Sequence, residues 1–447
     1  MTVQKISCLV LLVVLIALPS CTPVSLDYSL LPDDDSILPS SDLAEEPSSR
    51  PEFRNLLNPA LYDYVIWNNM AFSKTHVTDL STGDVFSLCS NPMCGNIHDE
   101  LCAINIMKHY ECFVVCPDAA NNDMIIYASN REHTFVDGVL QVTDSFRKYN
   151  FSTGTQEILL DNLKLHGTDW RMDSETKTIY YMAYEVNESG VSELGLYAFN
   201  TESKENRKFG LISEQIIPMC VSDQYAYAFS QNGTAYRFAL DADTLQLETL
   251  PYKGHIYDGY LYFVDCKDFV HYPVPSEILP YCEKYNAISQ WDYYLADYYR
   301  LDLSKENAEP ELVVENIFQC TINDKYICYT VLEPKYQVSY LRTINGKIYD
   351  LQDDNCPTNV TLVHEFSPHS GTIFVLDVHT LEQIATITSE RYSIENASCV
   401  ATTTGLVADF KDYSLDSIFA GQMTFKGYVP FNKPVLTEED AVRIQLD

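Results

Sequence analysis

The chain has 447 residues, 46% of them hydrophobic and 12% aromatic, and carries 63 acidic against 29 basic side chains for a formal net charge of −34. A field of that sign repels nucleic-acid phosphates and anionic membrane surfaces, so nucleic acid is excluded as an expected partner. Beyond the first twenty residues, no apolar stretch approaches the ~20 residues that a membrane-spanning helix requires.

Met1 to Ser20 holds a single charge, Lys5, then the apolar run Ile6 to Leu18, and meets Cys21 through Leu18-Pro19-Ser20. The run is too short to span a bilayer, and the layout resembles a bacterial lipoprotein signal. That resemblance implies cleavage before Cys21, a diacylglycerol on the Cys21 thiol, and a mature protein anchored by lipid to the extracytoplasmic face of the cell membrane. An ordinary secretory signal cleaved nearby is the alternative. Loss of the leader removes Lys5 and leaves −35. Residues 21–55 then form a lipidated cysteine and an acidic stalk. Asp33-Asp34-Asp35 and Glu45-Glu46-Pro47 typify a composition that cannot bury enough apolar surface to offset the entropy of ordering.

From residue 56 to 433 the composition changes to Tyr, Ile, Val, Leu and Phe interleaved with polar residues, enough to bury a large core. A polar turn headed by Asp or Asn recurs at Asp79, Asn150, Asn200, Asp241, Asp302 and Asp377. Such side chains bond their own backbone, and Gly83 and Gly154 permit positive φ, so these are hairpin turns. Ahead of five of them lies an aromatic-rich piece: Met124 to Tyr127, Thr178 to Tyr181, Gln224 to Tyr227, Gly259 to Phe263 and Lys325 to Tyr329. A sixth copy, Gly405 to Phe410, has no turn behind it. A repeat worth about four strands is the signature of a β-propeller, so the expected fold is all-β with six to seven four-stranded blades. Closure is expected where the orphan hairpin Val77 to Leu88 completes the orphan strands Ser398 to Phe410. Ile418 to Phe431 supplies the strand-like runs of a seventh blade. A pair of β-sandwiches is the competing architecture, but it predicts no regular turn motif.

The sharpest chemical constellation is Cys89, Cys94, His98 and Cys102, three thiols and one imidazole within fourteen residues. That inventory suits a closed tetrahedral structural zinc site, with Cys112 and Cys116 as substitutes. Export favours instead a disulfide among Cys89, Cys94, Cys102, Cys112 and Cys116. Free thiols packed as small apolar residues are the third reading. The seven later cysteines, Cys220 to Cys399, are expected in the core.

Catalytic signatures are absent. No Gly-x-Ser-x-Gly elbow, phosphate-cradling loop or dinucleotide loop occurs. In His364-Glu365-Phe-Ser-Pro-His369 the histidines stand one residue too far apart for a zincin, and Pro368 breaks the helix that would align them. The segment Ile278 to Arg300 follows an insertion and carries Trp291, Tyr293, Tyr294 and Tyr298 beside carboxylates, a combination that stacks and hydrogen-bonds sugars. Its plain reading is a blade strand with alternating faces. Tyr336 to Phe366 is a second insertion expected to overhang the ring. At the C-terminus, Thr437 with Asp440 makes a capping box that starts a short helix within residues 434–447.

Together the lipobox, the acidic stalk, repeats such as Tyr257-Asp258-Gly259-Tyr260-Leu261-Tyr262-Phe263 and the cysteine cluster resemble uncharacterised propeller lipoproteins of Gram-positive anaerobes, a group similar to DUF5050 and low-density-lipoprotein-receptor-like propellers. A similar cysteine stretch recurs in that group, which carries no catalytic residues to transfer. The function expected is a lipid-anchored binding or scaffold module for a glycan, peptide or protein ligand. The alternative is a glycan-active enzyme using paired carboxylates in the propeller channel.

Overall fold

The computed structural model describes residues 52–88 and 103–444, except 59, 62–64, 68–69, 119–122, 137–138, 151–152, 323–324, 354, 370, 402–403, 413 and 415–423. The molecule is all-β. Two short strands come first, β1 (Arg54–Asn55) and β2 (Ala60–Leu61). After them one pattern repeats, four antiparallel strands in which each pairs with the next. Unit 1 comprises β3 (Val65–Trp67), β4 (Met70–Phe72), β5 (His76–Asp79) and β6 (Val85–Ser87). A short helix, α1 (Ala103–Lys108), leads into unit 2, which comprises β7 (Tyr110–Asp118), β8 (Asp123–Val136), β9 (Val139–Asn150) and β10 (Thr155–Leu163). Unit 3 holds β11 (Arg171–Asp173), β12 (Thr178–Val186), β13 (Ser192–Asn200) and β14 (Asn206–Ile212), and unit 4 holds β15 (Ile216–Val221), β16 (Tyr225–Ser230), β17 (Thr234–Ala239) and β18 (Glu248–Lys253).

Units 5 and 6 share a strand. Unit 5 comprises β19 (His255–Tyr257), β20 (Tyr260–Pro273), β21 (Gln290–Asp302) and the first half of β22 (Glu311–Ile322), with α2 (Leu279–Tyr285) between β20 and β21. The second half of β22 opens unit 6, because Ala296 pairs with Ile317 on one side while Ile322 pairs with Ile327 on the other. Unit 6 continues with β23 (Tyr326–Thr343), an inserted β24 (Ile348–Tyr349) and β25 (Val360–His369) that both pair with β23, then β26 (Thr372–Asp377) and β27 (Gln383–Thr388). Unit 7 is β28 (Ser393–Ala401), β29 (Gly405–Lys411), β30 (Thr424–Pro430) and, after β31 (Val435–Thr437), the short β32 (Val442–Arg443).

All six sequence-read turns join a third strand to a fourth. Asp79 Oδ1 accepts the Ser81 N–H at 2.8 Å, and Asp377 Oδ1 accepts those of His379 and Thr380 at 2.9 and 2.8 Å. The aromatic-rich pieces are the second strands. Thr178–Val186 is buried without a break from Ile179 to Ala183, as a strand covered on both faces must be. The proposed pairing of the two chain ends is corrected. The hairpin from Val77 belongs to unit 1, with β3 and β4 as its first strands, and the strands ending at Phe410 are completed by β30 and β32. At three residues each, β3 and β4 are too short for alternation to reveal them.

Apolar clusters join consecutive units. Phe72 and Val77 pack with Phe113 and Ile126, Cys112 and Phe146 with Trp170 and Tyr181, and Tyr262 and Tyr298 with Ile327 and Leu376. Val407, Tyr428 and Ile444 of unit 7 pack with Ala71 and Leu80 of unit 1. Arginines add polar staples. Arg300 of β21 donates to Glu311 at 2.7 Å and to the Val378 carbonyl in the turn of unit 6 at 2.5 Å.

The C-terminal helix is also corrected. Thr437 N–H does donate to Asp440 Oδ2 at 2.8 Å, but the box closes one 3-10 turn, Glu438–Asp440, before the chain re-enters a strand. Burial decides this. Ile444 is buried and its N–H donates to the Lys426 carbonyl at 3.0 Å, which ties the tail to β30. Among the described residues no helix is long and apolar enough to cross a membrane.

Candidate functional site

Three second strands run well past the six residues of β16: β8 has 14, β20 has 14 and β23 has 18. In units 5 and 6 the connection between the second and third strands is lengthened as well, whereas in unit 2 only residues 137–138 separate β8 from β9. The two insertions of units 5 and 6 meet in one satellite core, where Val274 and Cys282 of the first pack on Leu341 and Leu362 of the second. The two insertions therefore pack against each other. His364 and His369 stand on strand β25 rather than on a helix, in keeping with the rejected zincin motif.

The β20–β21 hairpin separates the four aromatic residues read from the sequence. Trp291 and Tyr293 share its inner face. Trp291 lies against the satellite core, and Tyr293 meets Phe318 edge-on at 5.2 Å, its phenol raised in pKa by burial. Tyr298 leaves the set altogether. It is 6% exposed and stacks on Tyr262 at 5.8 Å in the core between units 5 and 6, where burial pushes its pKa well up. Trp291 and Tyr293 are half-buried, and Tyr294 alone of the four is largely exposed, at 61%.

Tyr294 has company that the linear pattern concealed. Phe269 lies opposite it and His271 lies opposite Asp292 in the ladder, so the four side chains share the outward face. The Phe269 ring is 4.7 Å from Tyr294 and 4.6 Å from His271. His271 Nδ1 is 2.7 Å from Asp292 Oδ1, which also accepts a hydrogen bond from Gln290 Nε2 at 3.2 Å. The result is an exposed aromatic ridge ending in an imidazole, a carboxylate and an amide. Cross-strand pairing was the missing signal: Phe269 and Tyr294 are 25 residues apart in the chain and adjacent only through the hairpin register.

A cleft of about 530 Å³ opens at the base of the β8–β9 hairpin, lined by His109, Arg131, Glu132, His133, Arg147 and Gln156. Its charges are already paired. Arg147 Nη2 donates to Glu132 Oε1 at 2.5 Å, and Arg131 bridges Asp144 at 2.8 Å and Glu111 at 3.1 Å. Desolvation raises the Glu111 pKa against the opposing pull of Arg131. Among the described residues lining the cleft there is one carboxylate, Glu132, and no pair that could divide acid and base roles.

Cys21, Cys89, Cys94, His98 and Cys102 lie outside the described residues. Cys112 and Cys116 are free buried thiols on β7, and burial pushes their pKa values up to about 11 and about 12. Cys112 Sγ lies 3.1 Å from Ser129 Oγ and accepts the Trp170 indole N–H at 3.0 Å. Such groups are packing elements, poor as ligands or nucleophiles. Among the described residues no three His, Cys, Asp or Glu side chains gather as a metal site. Of the later cysteines, Cys220, Cys282 and Cys328 are buried, Cys320 and Cys356 half-buried, and Cys266 exposed.

No protein-family model matches the chain, and no curated protein matches it. The resemblance to DUF5050-like propeller lipoproteins thus gains no family support. Comparison with solved structures gives remote likenesses. The periplasmic gluconolactonase of Pseudomonas aeruginosa is 8% identical, with 88% of this chain and 98% of that one covered at a TM-score of 0.33. The β-propeller domain of the Trilobed protease from Pyrococcus furiosus is 11% identical, with 70% and 92% covered at 0.31. Dipeptidyl peptidase 4 of Porphyromonas gingivalis is 12% identical, with 74% of this chain but 46% of that one covered at 0.37. At these TM-scores the likenesses carry no argument about this chain, whose architecture rests on its own strand ladders.

Proposed function

We propose that the chain is a seven-bladed β-propeller, held by lipid at Cys21 on the extracytoplasmic face of a membrane, that binds a glycan on the ridge of Phe269, His271, Asp292 and Tyr294. The seven four-stranded units and the apolar cluster joining the last to the first support a ring closed by packing instead of by strand exchange. In such a ring the long hairpin of unit 2 and the insertions of units 5 and 6 rise from one face and surround a shared surface. The observation that carries the binding reading is the exposed Phe269–Tyr294 pair beside Asp292. Aromatic faces cover the apolar C–H side of a sugar ring, and the carboxylate and amide take its hydroxyls. A glycan-active enzyme needs two carboxyl groups roughly 5–10 Å apart across a pocket, and the cleft supplies no such pair among the described residues.

The test is an array of cell-envelope glycans probed with the purified protein and its Tyr294→Ala variant. Loss of one stacking face should weaken binding roughly tenfold, on the order of 1 kcal/mol, with the unfolding midpoint unchanged. No glycan bound, or equal binding by the variant, rejects the ridge. Mass spectrometry of the N-terminal peptide from membrane fractions checks the anchor. A diacylglyceryl group on Cys21 is expected, and an unmodified terminus elsewhere rejects it.

A further inference from the structure

The segment from Phe53 to Leu61 crosses the first-strand edges of consecutive units. β1 pairs antiparallel with β15, Arg54 opposite Val221 and Asn55 opposite Cys220. Leu56 N–H donates to the Met219 carbonyl at 2.8 Å. Leu57 exchanges both backbone hydrogen bonds with Met172 of β11, at 2.7 and 3.1 Å, and β2 pairs with β7. The contacts thus fall at positions 54–55, 57 and 60–61, advancing one unit for about every three residues. Three extended residues span about 10 Å, which is also the spacing of sheets packed face to face. The step of the segment therefore matches the step of the units.

Side chains are read along the way. The Phe53 ring lies where a Cβ on Gly259 would stand and is 5.6 Å from the Tyr227 ring. Arg54 Nε donates to Asp173 Oδ2 at 3.1 Å, Nη1 to Asp223 Oδ1 at 3.4 Å, and Glu175 stands 3.9 Å away. Asn55 Oδ1 accepts the Asp258 N–H at 2.8 Å. Leu56 is buried in the core shared by units 3, 4 and 5. Arg171, 7% exposed, lies beside these strands, where its Nη1 donates to the Trp170 carbonyl at 2.8 Å and its buried Nε has no partner among the described residues.

We infer that the first-strand edges of units 2 to 4, with the Asp258-Gly259 turn of unit 5, form a binding groove for an extended peptide of aromatic-cation-amide-aliphatic pattern, and that Phe53-Arg54-Asn55-Leu56-Leu57 is its built-in occupant. Backbone ladders supply affinity that is indifferent to sequence. The bare Gly259, the three carboxylates around Arg54 and the Asp258 N–H supply selection, as in other cases where a strand is added to an open sheet edge. This inference does not depend on the glycan ridge.

The test uses the whole mature chain and a fluorescein-labelled synthetic peptide covering residues 51–62. Arg54→Glu in the chain places a fourth carboxylate among Asp173, Glu175 and Asp223 and should release the segment. Amide exchange at Leu56 and Leu57 then accelerates. The labelled peptide binds the R54E chain at least about tenfold more tightly than wild type and protects the groove's own Met172 amide while Leu56 and Leu57 of the chain stay exposed, whereas a peptide that itself carries Arg54→Glu does not. Fast exchange in the R54E chain without peptide binding overturns the groove. Unchanged protection of Leu56 and Leu57 overturns the role given to Arg54. Should R54E not fold, Asn55→Ala, which removes one acceptor, is read in the same way.

Discussion

Arg300→Met tests how neighbouring units are held together. The guanidinium is buried, with its side chain 7% exposed, and lies 4.7 Å over the Tyr260 ring. It reaches out of its own unit to the Val378 carbonyl at 2.5 Å and, more loosely, to the His379 carbonyl at 3.4 Å. Methionine keeps the stem and discards the charge. A buried hydrogen bond from a charged donor is worth about 1.5–3 kcal/mol, and its loss leaves the Val378 carbonyl facing apolar surroundings. The cation–π contact adds about 0.5–1 kcal/mol. Glu311, whose side chain is 55% exposed, contributes no more than about 1 kcal/mol. The sum is about 3 kcal/mol, of which the bond to Val378 is the part that crosses between units, since Tyr260 and Glu311 belong to Arg300's own unit. Urea unfolding monitored by tryptophan fluorescence should show that loss for Arg300→Met and at most about a third of it for Glu311→Gln. Arg300→Lys should recover less than half, because one ammonium cannot replace a planar fork. Equal losses for Arg300→Met and Glu311→Gln would refute the reasoning, since the surface pair would then account for everything and the reach to Val378 for nothing.

Other substitutions probe separate terms. Asp297, 1% exposed, is held below the ordinary carboxylate range chiefly by the Lys267 ammonium and also by the Asn316 N–H at 3.1 Å. A depressed carboxyl stabilises above its unfolded pKa of about 3.9, and that stabilisation fades as pH falls through the folded value. The stability gap between wild type and Asp297→Asn should therefore narrow from pH 6 to pH 3 in urea titrations, and a constant gap contradicts the assignment. A thiol reagent at pH 8 should modify exposed Cys266 in the native protein and leave Cys112, Cys116 and Cys320, pushed by burial up to about 11, about 12 and about 12, for the unfolded state. Peptide mapping that finds Cys112 labelled early speaks against this. A methyl at Gly254 would run into the Tyr262 carbonyl, which is backbone and cannot swing aside, whereas Gly154, with φ of +63°, faces nothing within 4 Å. Gly254→Ala should cost at least the ~1–3 kcal/mol of overpacking, and Gly154→Ala only the ~1 kcal/mol of left-handed strain. Similar melting temperatures for the two variants would count against the close approach of units 4 and 5.

The turns were the most legible part of the chain because their cause is local. An Asp or Asn that bonds the backbone two or three residues on needs no tertiary help, and Asp79, Asn150, Asn200, Asp302 and Asp377 all do so. The long second strands were legible too, since burial on both faces leaves an unbroken apolar run such as Ile179 to Ala183. First strands such as β3 and β11 are three residues long and draw their structure from the neighbours on which they pair. The ridge was half visible: Asp292 and Tyr294 stood two residues apart in one aromatic run, but Phe269 and His271 join them only through cross-strand register.

Phe53-Arg54-Asn55 shows why the boundary between stalk and body escaped a reading by composition. Nothing in those three residues favours a strand over the acidic tether before them, and a two-residue strand has no intrinsic stability. Its order comes from edges formed by residues 110–118, 171–173 and 216–221, which the chain has not yet reached when it passes position 55. The sheets must be in place before the segment can lie across them, so its docking is a late event that tightens a formed structure. That sequence of events has a mechanical corollary. If the chain is tethered through Cys21 as proposed, any pull on the tether meets Phe53 and Arg54 first, and the contacts to units 5, 4, 3 and 2 are loaded one after another instead of together. Each release then requires breaking a few hydrogen bonds, a smaller barrier than shearing the whole segment at once, and at Arg54 the buried Asp173 is the partner that resists most among its three carboxylates, since Glu175 and Asp223 are exposed.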